Sequence, residues 1–186
     1  MKDHTRSPGA APAPVLRRAY FDCRHGQLHV HQAIPPGGGF DERTTLLCLP
    51  APGTSGALFL PLLAQLGTDR SIFALDPPGS GQSDAADGMA PTALAAAVLD
   101  FLHNMRIRRA HVLADAGAVA SLALLLPGAS GRITRVVLCA APADALPGNG
   151  PLVRTVPQSV AELAAGGEAA RTSVRQLREF FDAEPR

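Results

Sequence analysis

The sequence predicts an α/β fold built on a mostly parallel sheet, with an N-terminal antiparallel hairpin and helices on both faces. Three observations point there. Short apolar runs are bounded by Gly and Pro turns, stretches of helical apolar spacing lie between them, and the two alternate in the order β-β-β-α-β-α-β-α-β. Such alternation calls for parallel neighbours joined by right-handed crossovers, and places function at the carboxyl ends of the strands.

Each element has a local reason. Residues 1–16 carry Lys2, Asp3, His4 and Arg6 and then a Ser-Pro-Gly-Ala-Ala-Pro-Ala-Pro run, which reads as a flexible arm without the charged-then-apolar pattern of a signal peptide. Arg18 to Arg24 and Gln27 to Ala33 form two strands around His25-Gly26, and Pro-Pro-Gly-Gly-Gly at 35–39 ends the second. Thr44 to Leu49 is a short apolar strand running into the loop Pro50 to Gly56. Ala57 to Leu66 has helical spacing, and Ser71 to Leu75 is a strand ending at Asp76. After the turn-rich Asp76 to Asp84, Pro91 to Met105 is an amphipathic helix with Leu94, Ala97, Val98, Phe101 and Leu102 inward. The strand Ala110 to Leu113, a helix over 118–126 with a sheet-facing apolar stripe, and the buried-type strand Thr134 to Ala140 follow. Beyond Ala140 the chain reads as loop, with Pro142, Pro147, Gly148, Gly150 and Pro151, then a helix from about Ser159 to Phe181 interrupted by Gly166-Gly167.

Composition narrows the function. The 186 residues are 46% hydrophobic, enough for one domain with a real core, and the 17 basic against 16 acidic residues leave a net charge of +1. Lys2 is the only lysine, and no basic stripe interleaves with aromatics, so nucleic acid is not an expected partner. Cys23, Cys48 and Cys139 each fall in a strand-like run, without the spacing of a metal site, and read as buried reduced thiols. No window approaches the ~18 apolar residues of a membrane span. A soluble cytoplasmic protein is expected.

The chemistry-bearing stretch is Leu113-Ala114-Asp115-Ala116-Gly117, between a strand-like and a helix-like run. A side chain on such a strand-to-helix turn is forced outward, and a small residue two places later lets the helix start close by. Helix-start amides lower the cost of a carboxylate there. An Asp before a helix is also an ordinary N-cap, and that reading stands beside the functional one. Ser55, in Gly53-Thr54-Ser55-Gly56-Ala57, follows the third strand and reads as a helix N-cap, although the pentapeptide imitates a nucleophile motif. Gly79-Ser80-Gly81 lacks the third glycine of a dinucleotide fingerprint, and no phosphate-loop Gly-Lys-Ser/Thr occurs.

Over residues 17–142 this succession resembles the α/β-hydrolase superfamily. The loop after the third strand, Asp76 to Asp84 matching D-x-x-G-x-G-x-S-D, and the turn at Asp115 carry the resemblance. With Asp at the nucleophile position and a bulky residue two places before it, the turn is most similar to haloalkane dehalogenases and epoxide hydrolases. The resemblance implies a truncated α/β-hydrolase core with 143–186 as a loop and helical segment starting a cap. It also implies hydrolysis of a small apolar ester, epoxide or related molecule through Asp115, without metal or organic cofactor.

The sequence departs from that pattern at four places. Ala116 follows the nucleophile position where many dehalogenases have Trp, and the chain has no Trp. The usual His-Gly after the third strand is Pro50-Ala51, and the residue that should donate an oxyanion N–H is Pro52, which has none, leaving Ala51 or Gly53 to donate. A one-residue shift would put Ala116 at the nucleophile position and make a dead site. Finally His4, His25, His29, His31, His103 and His111 all precede Asp115, and each reads as a surface or packed histidine. Asp144 matches an alternative position for the acid, but an acid without a histidine orients nothing. Two readings remain: a hydrolase completed by elements outside this sequence, and an inactive remnant or interaction module of the same fold. Either leaves the apolar strand with Val136-Val137-Leu138 at an open sheet edge, so the chain is expected to self-associate there or to cover the edge with its own C-terminal segment.

Overall fold

The computed structural model describes residues 12–38, 43–87, 91–142, 144–146 and 150–183. Of the expected arm, residues 1–11 lie outside the described residues, and Val15 and Leu16 already belong to the first strand. The seven strands are β1 (Val15–Cys23), β2 (Gly26–Ile34), β3 (Thr45–Leu49), β4 (Ile72–Leu75), β5 (Ala110–Asp115), β6 (Ile133–Cys139) and β7 (Leu152–Val156). The helices are α1 (Leu60–Leu66), α2 (Pro91–Asn104), α3 (Val119–Gly128), α4 (Val160–Ala165) and α5 (Glu168–Asp182).

One sheet holds all seven strands in the order β1-β2-β4-β3-β5-β6-β7. The β1–β2 hairpin pairs antiparallel, β2 meets β4 antiparallel, and every pair from β4 to β7 is parallel. The buried parallel strands read as unbroken apolar runs because both of their faces are covered. Alternate residues divide cleanly. Leu47, Leu49, Phe73, Leu75, Val112, Ala114, Val136 and Leu138 join the core under α2 and α3. Their neighbours Leu46, Cys48, Ile72, Ala74, Leu113, Val137 and Cys139 join the core under α1, α4 and α5. Edge strand β1 is mostly exposed and carries Arg17 and Arg18, charges that discourage edge-to-edge pairing.

The structure differs from the sequence reading beyond β6. Residues 152–156, read above as loop, form β7, paired parallel to β6 with Val136 opposite Val153 and Leu138 opposite Thr155. The β6 edge is therefore covered by the chain's own C-terminal segment. The connection from Ala140 to Pro151 has the dozen residues a parallel crossover needs, and Leu146 anchors it in the α2–α3 core. The expected helix over 159–181 is two helices, α4 and α5, broken where Gly166 and Gly167 take φ of 82° and 101°. Ala170, Ser173, Val174, Leu177 and Phe181 form a buried stripe at helical spacing on α5, with Val174, Leu177 and Phe181 packed into the second core. No helix among the described residues is long and apolar enough to cross a membrane.

Candidate functional site

The chain leaves β3 toward β4 on one side and leaves β5 toward β6 on the other. Helices α1 and α3, which carry those connections, lie on opposite faces of the sheet. The crevice outside the carboxyl ends of β3 and β5 is thus the topological switch point, the place where open α/β sheets bind ligands. Two of the sequence-singled segments meet there. Gly117 and Ala51 touch so closely that a Cβ on Gly117 would lie 2.5 Å from the Ala51 Cβ and 3.5 Å from Asp115 Oδ1. The loop after β3 and the turn after β5 are one surface.

Asp115 ends β5 half-buried, with Ala116 half-buried beside it. Its carboxylate accepts a hydrogen bond from the Gly117 N–H at 3.0 Å and so caps the short 3-10 turn Ala116–Ala118 that leads into α3. Its backbone is ordinary and extended, φ −68° and ψ 151°, without the strain of a sharp nucleophile turn. The described non-glycine residues with positive φ are Arg106 and Ala140, the latter just after β6.

The loop after β3 offers few amides to a developing oxyanion. Pro52 has no N–H, the Gly53 N–H donates to Ser80 Oγ at 2.9 Å, and the Thr54 N–H donates to the Ala51 carbonyl at 3.0 Å. Gly53, one of the two donors expected from sequence, is therefore engaged inside the protein, which leaves Ala51. Asp144 is exposed in a turn after β6 and makes no hydrogen bond or ion pair among the described residues.

A second constellation was not anticipated. Asp76, at the end of β4 and 1% exposed, accepts four hydrogen bonds. Oδ1 takes the Ser55 hydroxyl and the Gly56 N–H, both at 2.7 Å; Oδ2 takes the Gln82 N–H at 2.9 Å and pairs with His29 Nδ1 at 2.8 Å. Burial alone would raise this carboxyl, but the Ser55 hydroxyl, the Gln82 amide, His29 and the Gly56 amide together hold it below the ordinary range. Gly81, at φ +55°, is required here because a Cβ would collide with the Asp76 carboxylate. Ser55 also caps the 3-10 turn Gly56–Phe59, as its position in the sequence suggests. The D-x-x-G-x-G-x-S-D stretch is thus a knot tying β2, the loop after β3 and the loop after β4. The signal for its histidines was the His29-Val30-His31 alternation, which puts both rings on one face of β2.

Among the described residues no histidine pairs with Asp115. His29 and His31 join Asp76; His103 is exposed on α2; His111 is the second residue of β5, four residues and about 13 Å along the strand from Asp115. His4 lies outside the described residues. His111 is stacked on Phe181 with ring centroids 5.3 Å apart, and Thr134 Oγ1 lies 3.0 Å from its Nδ1. Burial, then the charges of Arg135 and Arg70, push its pKa down to about 4. A cavity of about 1390 Å³ opens at that end of the sheet beside Arg109, His111, Arg154 and Phe180. It contains none of the candidate residues, and the strand polarity favours the opposite end for chemistry.

The chain is similar to solved α/β-hydrolase structures over about two-thirds of its length. An alpha/beta hydrolase from Novosphingobium aromaticivorans is 23% identical with a TM-score of 0.58, over 66% of this chain and 43% of the other. The enol-lactonase from Burkholderia xenovorans is 23% identical with a TM-score of 0.58, over 67% and 47%. An epoxide hydrolase from Vigna radiata is 13% identical with a TM-score of 0.59, over 68% and 39%. These likenesses define the class by fold: the chain has the α/β-hydrolase fold, and it spans less than half the length of these structures. No protein-family model matches the sequence, and a search among curated proteins finds no match.

Proposed function

We propose that this chain carries the nucleophile side of an α/β-hydrolase-type site for small, largely apolar molecules, with Asp115 attacking an epoxide or related electrophilic carbon. The observation that carries the reading is the position of Asp115 at the switch point, two residues before the Gly117 that packs on Ala51 of the loop after β3. The likeness to an epoxide hydrolase and a lactonase supports the substrate class.

The chemistry divides at the covalent intermediate. A carboxylate oxygen attacks the epoxide carbon, the ring C–O bond breaks, and the alkoxide takes a proton from water, leaving a hydroxyalkyl ester on Asp115. That half needs a positioned carboxylate. Hydrolysis of the ester needs a base to activate water and N–H donors for the oxyanion. Among the described residues no histidine pairs with Asp115, Gly53 is engaged and Pro52 cannot donate. No base for that step pairs with Asp115 among the described residues, so those residues support alkylation of Asp115 but not turnover. A cytoplasmic setting fits its three unpaired cysteines.

The extended dihedrals and the Gly117 hydrogen bond favour a second reading, in which Asp115 is an N-cap and the chain an inactive remnant or interaction module. Incubation with a reactive epoxide, followed by intact mass and peptide mapping, separates the two. One adduct on Asp115, lost in Asp115→Ala, supports the nucleophile; no adduct, or one that persists in the variant, leaves the N-cap.

A further inference from the structure

We propose that His29, His31 and Asp76 form a site for one borderline divalent cation of the Zn²⁺ type, a role independent of any chemistry at Asp115. Ligand atoms from the three side chains lie within 4.8 Å of one another. His29 Nδ1 is 2.8 Å from Asp76 Oδ2, His31 Nε2 is 3.7 Å from Asp76 Oδ1, and the two rings stand edge to face with centroids 4.7 Å apart. Tetrahedral N and O ligands at zinc distances sit about 3.4 Å from one another, so shifts of roughly an ångström close the trio around an ion.

The independent observation is a set of orphaned imidazole nitrogens. His29 Nε2 and both nitrogens of His31 are buried without a hydrogen-bond partner, on residues only 1% and 7% exposed. Buried polar atoms are ordinarily satisfied, and a group of orphans asks for a water or an ion. His31 Nε2, facing Asp76, is the atom most in want of one.

The donor set decides which ion. Two imidazoles and one carboxylate suit zinc and its borderline neighbours, whereas calcium and magnesium take oxygen ligands. Ligands must be unprotonated to bind. Burial, opposed by Asp76 but reinforced by His29 and Arg18, lowers the His31 pKa, and Asp76 is held ionised. His29 would bind through Nδ1 as its Nε2–H tautomer in place of its contact with Asp76, and of the orphaned nitrogens the one the ion satisfies is His31 Nε2. The Ser55 hydroxyl and the Gly56 and Gln82 amides keep their bonds to Asp76 and fix its carboxylate, the outer-shell support that metal sites use. Arg18, exposed and in register with His31 across the hairpin, bears on the site through its charge.

The test uses the untagged full chain, stripped with a chelator and titrated with Zn²⁺ by calorimetry and with Co²⁺ by visible absorption. One equivalent of each is expected to bind, with the intense ligand-field bands of four-coordinate cobalt, and His31→Ala is expected to abolish binding. Should that variant unfold, Arg18→Ala, at an exposed position, still tests the site: removing its charge is expected to tighten Zn²⁺ roughly fivefold. Absence of saturable binding in the wild type, binding that survives His31→Ala in a folded protein, or affinity indifferent to Arg18 would overturn the site.

Discussion

At the scale of single residues, the crevice at β3 and β5 depends on an atom that is missing. Gly117 leaves room for Ala51, and its replacement by alanine puts two methyl groups 2.5 Å apart. Gly117→Ala is expected to cost about 1–3 kcal/mol, and Ala51→Gly in the same chain to recover most of it, because the backbone at Gly117 needs no positive φ. Denaturant melts of the four proteins of that cycle check this; simple additivity would show that the two residues do not press on each other. Asp76→Asn is expected to cost more, about 3 kcal/mol, since an amide NH₂ facing the His29, Ser55 or backbone donors sets donor against donor in a buried place. Asp115→Ala loses only a half-buried N-cap, about 1 kcal/mol. The ordering Asp76→Asn over Asp115→Ala is the measurable statement, and its reversal would mean that the knot holds less than its bonds suggest.

Elements were legible in the sequence where one local rule decided them. The alternation in β3 to β6, the Pro at the start of α2 and the glycine pair between α4 and α5 all declare themselves, and the boundaries fall within a few residues of the expectation. Strand β7 did not, because Leu152 to Val156 is framed by Gly and Pro, carries Arg154 and Thr155, and is only partly buried. It is a strand because β6 offers it a ladder, a tertiary cause that no window of sequence contains. Its pairing moves the hazard of an open edge from β6 to β7, where Leu152 stands 61% exposed. Concentration-dependent association in sedimentation, weakened by Leu152→Lys, is therefore expected, and a monomer at every concentration would remove edge pairing from consideration. The position of α5 was likewise hidden. Its stripe announces an amphipathic helix, but its docking depends on distant partners: Arg178 donates to Asp69 and to the Gln65 carbonyl, and Arg70 pairs with Asp182.

For the whole molecule, the groups that join distant segments also set how stability responds to acid. The place of Asp115 on a strand-to-helix turn was legible in the sequence because strand, turn and helix are contiguous there, whereas the Asp76 knot and the His111–Phe181 stack gather residues 47 and 70 positions apart. His111 lies near the N-terminal ends of the central strands, where the Arg135 side chain donates to the Phe181 carbonyl at 2.8 Å. With its folded pKa down at about 4 and an unfolded value of about 6.5, the unfolded chain takes up a proton that the folded one refuses across that interval. Stability must then fall as pH drops from about 6.5 to about 4, by at most about 3 kcal/mol, and this contribution levels off below. His31, also lowered by burial, adds in the same direction. Asp76 is shifted in the same direction but acts later: its stabilisation is complete above the ordinary carboxylate range and is lost as pH falls through its depressed folded value. Two acid limbs are expected, a histidine limb between pH 6.5 and 4 and a carboxylate limb below it. His111→Phe keeps a ring against Phe181 while removing the titration, so denaturant melts across pH 7 to 4 should show a shallower first limb than wild type and an unchanged second one. An identical slope above pH 4 in the variant would mean that His111 titrates normally and that the arginines around it do not bear on its charge.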